Sequence, residues 1–169
     1  MLDDGDLDGL ADLLNEHVGK RVAEVHAEGI RIVPGALDSD LAQFRRQVRE
    51  DPAGALELVR GPPLDGFDAP WAAPMRAQIQ TEIVAAAHSA CRLDPANEAE
   101  YLRMGLLGAP GDASLWIALL GAAGSARSMQ ALDMAYAWAR DTYATAGPGA
   151  VPADIQHEYA RWRRKLTPG

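Results

Sequence analysis

The side chains able to do chemistry in this 169-residue chain are few and scattered. Four histidines, His17, His26, His88 and His157, fall on four separate stretches, and none has partners at the spacing a catalytic dyad or metal site requires. His88 and Cys91 come nearest: three residues apart on one helix, they can share a face and offer two metal ligands. A closed zinc site needs two more, and the sequence nominates none. Glu98 and Glu100, or His157 and Glu158, are close in sequence but point in different directions on a helix, so they form no acid-base pair. The run from Gly108 to Ser114 holds glycines without the Gly-Lys-Ser/Thr of a phosphate loop, and no Gly-x-Ser-x-Gly elbow occurs. The expectation is a binding scaffold and not an enzyme, with no catalytic residue, metal or cofactor nominated.

Composition narrows the class further. A chain of this length buries about 70% of its unfolded surface and supports one core without staples. Cys91 is the sole cysteine, which excludes an internal disulfide and fits a reducing compartment. No apolar run reaches the length of a membrane span, and the N-terminus lacks the basic and apolar regions of a signal peptide. The expected localisation is cytoplasmic, either alone or as part of a longer, membrane-associated protein. A net charge of −8 argues against generic nucleic-acid binding, because phosphates repel carboxylates. Arginine outnumbers lysine fourteen to two, a bias that correlates with a GC-rich genome.

Hydrophobic periodicity places these residues on helices. Met75, Ile79, Ile83, Ala86 and Ala90 recur at helical spacing and predict the first of four successive helices. Asp94-Pro95 stops it, with Asp94 as the expected cap of a second helix carrying Ala99, Leu102 and Leu106. Gly108 to Gly111 ends that one. Asp112 caps a third helix bearing Leu115, Trp116, Leu119, Leu120 and Ala123, and Gly124-Ser125 is read as a break. Met129, Leu132, Tyr136, Ala139 and Tyr143 mark the fourth. Pro74 and Asp112, opening the first and third helices, are separated by close to the roughly 34-residue tetratricopeptide period. Ala99 and Tyr101, the turn Leu107-x-x-Pro110-x-Asp112, then Leu115, Trp116, Leu119, Gly124, Tyr136 and Ala139 resemble that repeat in order. The expected fold is mainly α, a tetratricopeptide-like stack of α-helical hairpins.

Before the stack, Leu7, Leu10, Ala11, Leu14 and Val18 predict an amphipathic helix with an acidic outer face. That face suits docking to a basic partner or plain solvation, and solvation is the simpler reading. Arg21 to Val33 predicts a short β-hairpin with Gly29 as turn signal, closed by Pro34-Gly35. Leu37, Leu41, Phe44 and Val48 predict a helix behind Asp38 and Ser39. Asp51-Pro52 opens another with Ala55, Leu56 and Val59. The loop from Gly61 to Pro74 holds Leu64, Phe67 and Trp71 and is expected to be pinned to the core by them. At the other end Pro152 opens a last helix with Ile155, Tyr159, Trp162 and Leu166. Its cations Arg161, Arg163, Arg164 and Lys165 suit the helix dipole better than a nucleic acid.

Asp38 to Arg46 (DSDLAQFRR), Asp51 to Trp71 (DPAGALELVRGPPLDGFDAPW) and the helix from Pro74-Met75-Arg76 together resemble the bacterial transcriptional activation domain of actinobacterial regulators, the Streptomyces antibiotic regulatory protein family. The resemblance runs from about Gly29 to Leu166. It implies a tetratricopeptide-like helical domain with Phe44, Leu64 and Trp71 as core or loop anchors, and it carries over no active site. Leu10 to Val33 also resembles the last helix and wing of the winged-helix domain that precedes it in that family. The matching helix is acidic where a DNA reader needs basic or amide side chains. The expected division is residues 1–36, a winged-helix remnant, and 37–169, the activation-domain-like part. The truncated remnant makes an excised piece of a longer regulator the expectation.

The implied function is a non-enzymatic protein-protein interaction module of a transcriptional regulator or related signalling protein, with a protein or peptide partner or a second copy of itself. DNA would be reached only through a domain outside this chain. The alternatives are a DNA-binding regulator acting through the N-terminal segment, and a metal protein or enzyme. Candidate interaction residues are Arg76, Gln80, Arg103, Trp138 and Arg140. Phe44, Leu64, Trp71 and Trp116 are the expected anchors. Trp138 lies off the stripe of its helix, so it serves either a partner or a neighbouring helix.

Overall fold

A computed structural model of the chain describes residues 39–146 and 149–167 and, nearer the N-terminus, residues 9, 11–13, 15, 16, 21, 23–26 and 29–32. Its compact units are Met1–Gln43 and Phe44–Gly169, against a division expected at 36/37.

In the first unit, residues 9, 11–13, 15 and 16 are helical, with Ala11 buried and Leu13 exposed. Leu7, Leu10, Leu14 and Val18 of the expected stripe lie outside the described residues. Strands β1 (Ala23–His26) and β2 (Gly29–Ile32) form an antiparallel pair in the register Ala23↔Ile32 to His26↔Gly29. Gly29 thus belongs to the ladder and not to the turn. Two strands alone are marginal in water, and Asn15 reinforces this pair from the helix. Its side chain donates to Ala23 O at 3.1 Å and accepts from Ala23 N at 2.9 Å. Pro34-Gly35, Leu37 and Asp38 lie outside the described residues.

Helix α1 (Asp40–Gln47) is capped by Ser39, whose Oγ accepts from Ala42 N. From Phe44 onward the chain is helical and mainly α, as expected. Phe44 is buried, and Arg45 on the outer face forks onto Glu82 at 2.8 and 2.9 Å. Short α2 (Pro52–Leu56) begins at Asp51, whose carboxylate accepts from Gly54 N, and buries Ala55 and Leu56 completely. Then follow α3 (Ala72–Leu93), a 3-10 turn (Pro95–Asn97), α4 (Glu98–Gly108), α5 (Ala113–Ser125), α6 (Met129–Ala146) and α7 (Ala153–Leu166). Helix α4 packs between α3 and α5, and α5 also meets α6 and α7. Among the described residues no helix is long and apolar enough to cross a membrane.

Close approach depends on missing side chains. A Cβ on Gly105 would come 2.8 Å from Ala87 Cβ and 3.1 Å from Leu115 Cδ1, so α4 lies tight against both α3 and α5. Gly124 faces the ring of Trp162 on α7 directly. This corrects the expected break at Gly124-Ser125. The glycine sits inside α5 because the indole needs its space, and the chain turns afterwards at Ala126 and Arg127, the latter at φ 53°. Asp94 is a second correction. It makes no side-chain capping bond, and its carboxylate accepts from Asn97 Nδ2 at 2.7 Å and Tyr101 Oη at 2.8 Å, which hold it below the usual carboxylate range.

Replacing Gly124 by Ala tests this contact. Overpacking costs about 1–3 kcal/mol, while Ala in a helix gains up to about 1 kcal/mol over Gly. A net loss of about 1–2 kcal/mol is expected in chemical denaturation. With Trp162 first changed to Ala, the same substitution should become neutral or stabilising.

Candidate interaction groove

The five candidate interaction residues have different surroundings. Arg76 is half-buried and clamps the loop before α3. Its guanidinium donates to Pro63 O at 3.2 Å and to Leu64 O and Phe67 O at 2.9 Å each, gathering the loop onto the start of α3. The expected pinning by apolar side chains is corrected for Phe67 and Trp71. Leu64 is half-buried at φ 55°, a strained conformation for a non-glycine residue. Phe67 and Trp71 are each 55% exposed and lean on one another, ring centroids 6.3 Å apart. A rigid fork reaches three carbonyls at once, which apolar contacts of a proline-rich loop cannot do.

Gln80 lies beside the turn between α4 and α5, where its Nε2 donates to Gly108 O at 3.5 Å. Arg140 is exposed in a shallow hollow with Tyr136, Asp141 and Val151. Arg103 and Trp138, thirty-five positions apart in the numbering, are brought into one groove of about 490 Å³.

Three helices build that groove, each with a stripe at helical spacing. Helix α4 contributes Ala99 and Arg103; α5 contributes Leu119, Ala122, Ala123 and Ala126; α6 contributes Ala131, Met134, Ala135 and Trp138. The α5 and α6 sets both run i, i+3, i+4, i+7, the spacing of one helix face. Six alanines keep the floor low. Met134 stands on its rim at 63% exposure. Trp138 is half-buried, its ring edge-on to the fully buried Trp116 with centroids 4.7 Å apart. Trp116 Nε1 donates to Pro110 O at 2.8 Å, so Trp116 is the anchor and Trp138 rests on it. The fork of Arg103 and the indole N–H of Trp138 make no hydrogen bond or ion pair among the described residues. Every polar side chain lining the groove is therefore a donor.

The remaining chemical candidates are used internally. Ser114 Oγ donates to Asp112 Oδ1 at 2.6 Å and meets His88 Nε2 at 3.1 Å. Asp112 also caps α5 through Leu115 N, as the sequence indicates. The chain of bonds runs His88, Ser114, Asp112, with the serine proton committed to the carboxylate. A nucleophile needs the opposite order, with histidine taking that proton. Asp-x-Ser at the start of α5 is legible as a cap, whereas His88 joins it only through packing. Cys91 Sγ lies 3.6 Å from Glu98 O, away from that cluster. Among the described residues no group of three or more His, Cys, Asp or Glu is placed to hold a metal ion. Burial first, and then the Glu98 charge, push the Cys91 thiol up to about 11. At the end of α7, Lys165 Nζ lies 4.5 Å from the centre of the Trp162 ring and Arg161 pairs with Glu158 at 2.9 Å, so two of the cations serve the helix itself.

Comparison of the chain with protein-family models, curated proteins and solved structures finds no match.

Two outcomes follow from these contacts. Arg76→Ala should cost about 2 kcal/mol, since hydrogen bonds from a charged donor contribute about 1.5–3 kcal/mol, and limited proteolysis should then cut between Gly61 and Trp71. Arg76→Lys should rescue little. Cys91, with its thiol moved from 9.0 to about 11, should react with iodoacetamide at pH 8 about a hundredfold more slowly than a solvated cysteine, because only the thiolate attacks.

Proposed function

We propose that this chain is a non-enzymatic protein-protein interaction module of a bacterial transcriptional regulator or related signalling protein. The α4–α5–α6 groove is its docking surface. The observation that carries the reading is the agreement of two full helical stripes, from α5 and α6, on one open apolar groove. An isolated apolar residue at a protein surface is ordinary, but a continuous apolar trough rimmed by Arg and Trp has the composition of a binding hot spot.

The resemblance to the bacterial transcriptional activation domain supports a regulatory role. A tetratricopeptide-like arrangement is supported by α7, which packs on α5 as the opening helix of a following repeat packs on that of the preceding one. Small residues at the contacts, Gly105 and Gly124, suit that geometry. The groove lining of hydrocarbon and two donors offers no general base, which favours binding over chemistry.

Selection of a displayed random-peptide library on the immobilised full chain tests the proposal. Binders are expected to be retained by the native chain and lost on the Met134→Glu variant, whose fold should survive because Met134 is largely exposed. A library that yields no binder, or binders indifferent to Met134→Glu, would overturn the groove as the docking surface.

A further inference from the structure

Resting on the proposed docking role, the chemistry of the lining also specifies the occupant. We infer that the groove takes an amphipathic α-helix of a partner protein that places small aliphatic side chains on the floor and an acidic side chain against Arg103 and Trp138.

The helix follows from the shape of the trough. The residues at i, i+3, i+4 and i+7 on α5 and α6 line one groove between two packed helices, and helix surfaces of this kind accept the side-chain ridges of another helix. Alanine along both keeps the walls low enough for a helix backbone to approach. An extended segment would instead leave its own amides facing hydrocarbon, since the floor has no acceptor to offer them.

The acidic residue follows from the polar groups. Arg103 is exposed and Trp138 half-buried, and neither donates to an acceptor among the described residues. A partner must bring the acceptor, or docking would strip water from two donors without replacement. A carboxylate satisfies the guanidinium fork bidentately, and its oxygens are the acceptor class that an indole N–H also takes. A lysine in that place would set like charges together. The chain's net charge of −8 acts against an acidic partner at long range. At about 0.15 M salt, charges beyond about 8 Å are screened, so the local pair decides.

Three end-capped, alanine-based helical peptides test the inference, with leucines at i, i+4 and i+7 and Glu, Gln or Lys at i+3. They would be titrated into the full chain at about 0.15 M salt, following the Trp138 indole N–H by NMR and the affinity by calorimetry. The glutamate peptide should bind about tenfold more tightly than its lysine twin and should move the Trp138 signal. Arg103→Ala should erase the difference between the twins, and Arg103→Glu should reverse it. Trp138→Phe should weaken the glutamate peptide while sparing the lysine one. Equal binding of all three peptides in the groove would overturn the acidic partner while leaving the docking reading intact. Binding of none, with library binders still lost on Met134→Glu, would overturn the amphipathic helix alone, and the absence of such library binders as well would overturn the docking reading. Sodium octanoate that shifts the Trp138 signal when none of the peptides does would assign the site to a small apolar acid and overturn the helix.

Discussion

No residue of α5 carries a charge, and Leu115, Trp116, Leu119 and Leu120 on it are buried. A helix apolar on nearly every side has to be covered on nearly every side, and the rest of the helical unit is arranged to do so. Helix α4 meets α5 across Gly105, α7 crosses it where Trp162 lies on Gly124, and α6 folds back along it. Both glycines are consequences of that requirement. A side chain at either position would hold a neighbouring helix away and expose part of α5 to water.

The connections before α3 and between α4 and α5 are rich in proline and glycine, with backbone carbonyls to satisfy. Single polar side chains do this. Arg76 gathers three carbonyls of the loop before α3. Trp116 Nε1 reaches Pro110 O and Tyr143 Oη reaches Gly111 O, fixing both sides of the turn that leads into α5. Tyr136 stacks flat on Tyr159, centroids 4.0 Å apart, and Tyr159 Oη donates to Asp133, so α7 is tied to α6 by both ring and hydroxyl. Among the described residues no buried side-chain polar atom lacks a hydrogen-bond partner. The core is thus apolar at its centre and closed at its ends by directed bonds.

The cover of α5 is incomplete on one side, and that side is the groove. Residues of α4, α5 and α6, six of them alanines, line a trough there with two side-chain donors and no side-chain acceptor. Trp138 marks the transition from core to surface. Its ring packs edge-on against Trp116, and the same residue lines the groove.

Periodicity alone determined most of the helices. Ile79, Ile83, Ala86 and Ala90, or Leu132, Ala139 and Tyr143, declare a buried face because a helix repeats every 3.6 residues whatever it packs on. Ser39 and Asp112 were legible as caps because capping is local, within three residues. What a buried face is buried against is not local. The spacing of Ala131, Met134, Ala135 and Trp138 was in the sequence, but its meaning came only when α4 and α5 set their own stripes beside it. Arg76 looked like a surface cation because nothing in its neighbourhood announces that three carbonyls twelve or so residues earlier will converge on it. Gly124 looked like a helix break because its reason, an indole thirty-eight positions later, is visible only in three dimensions. Phe67 and Trp71 looked like anchors because aromatic side chains usually bury, and here the arginine had already fixed the loop. The sequence by itself set most of the helices and their apolar faces; tertiary structure alone decided which faces meet, since contact depends on the placement of whole helices and not on the order of residues within one.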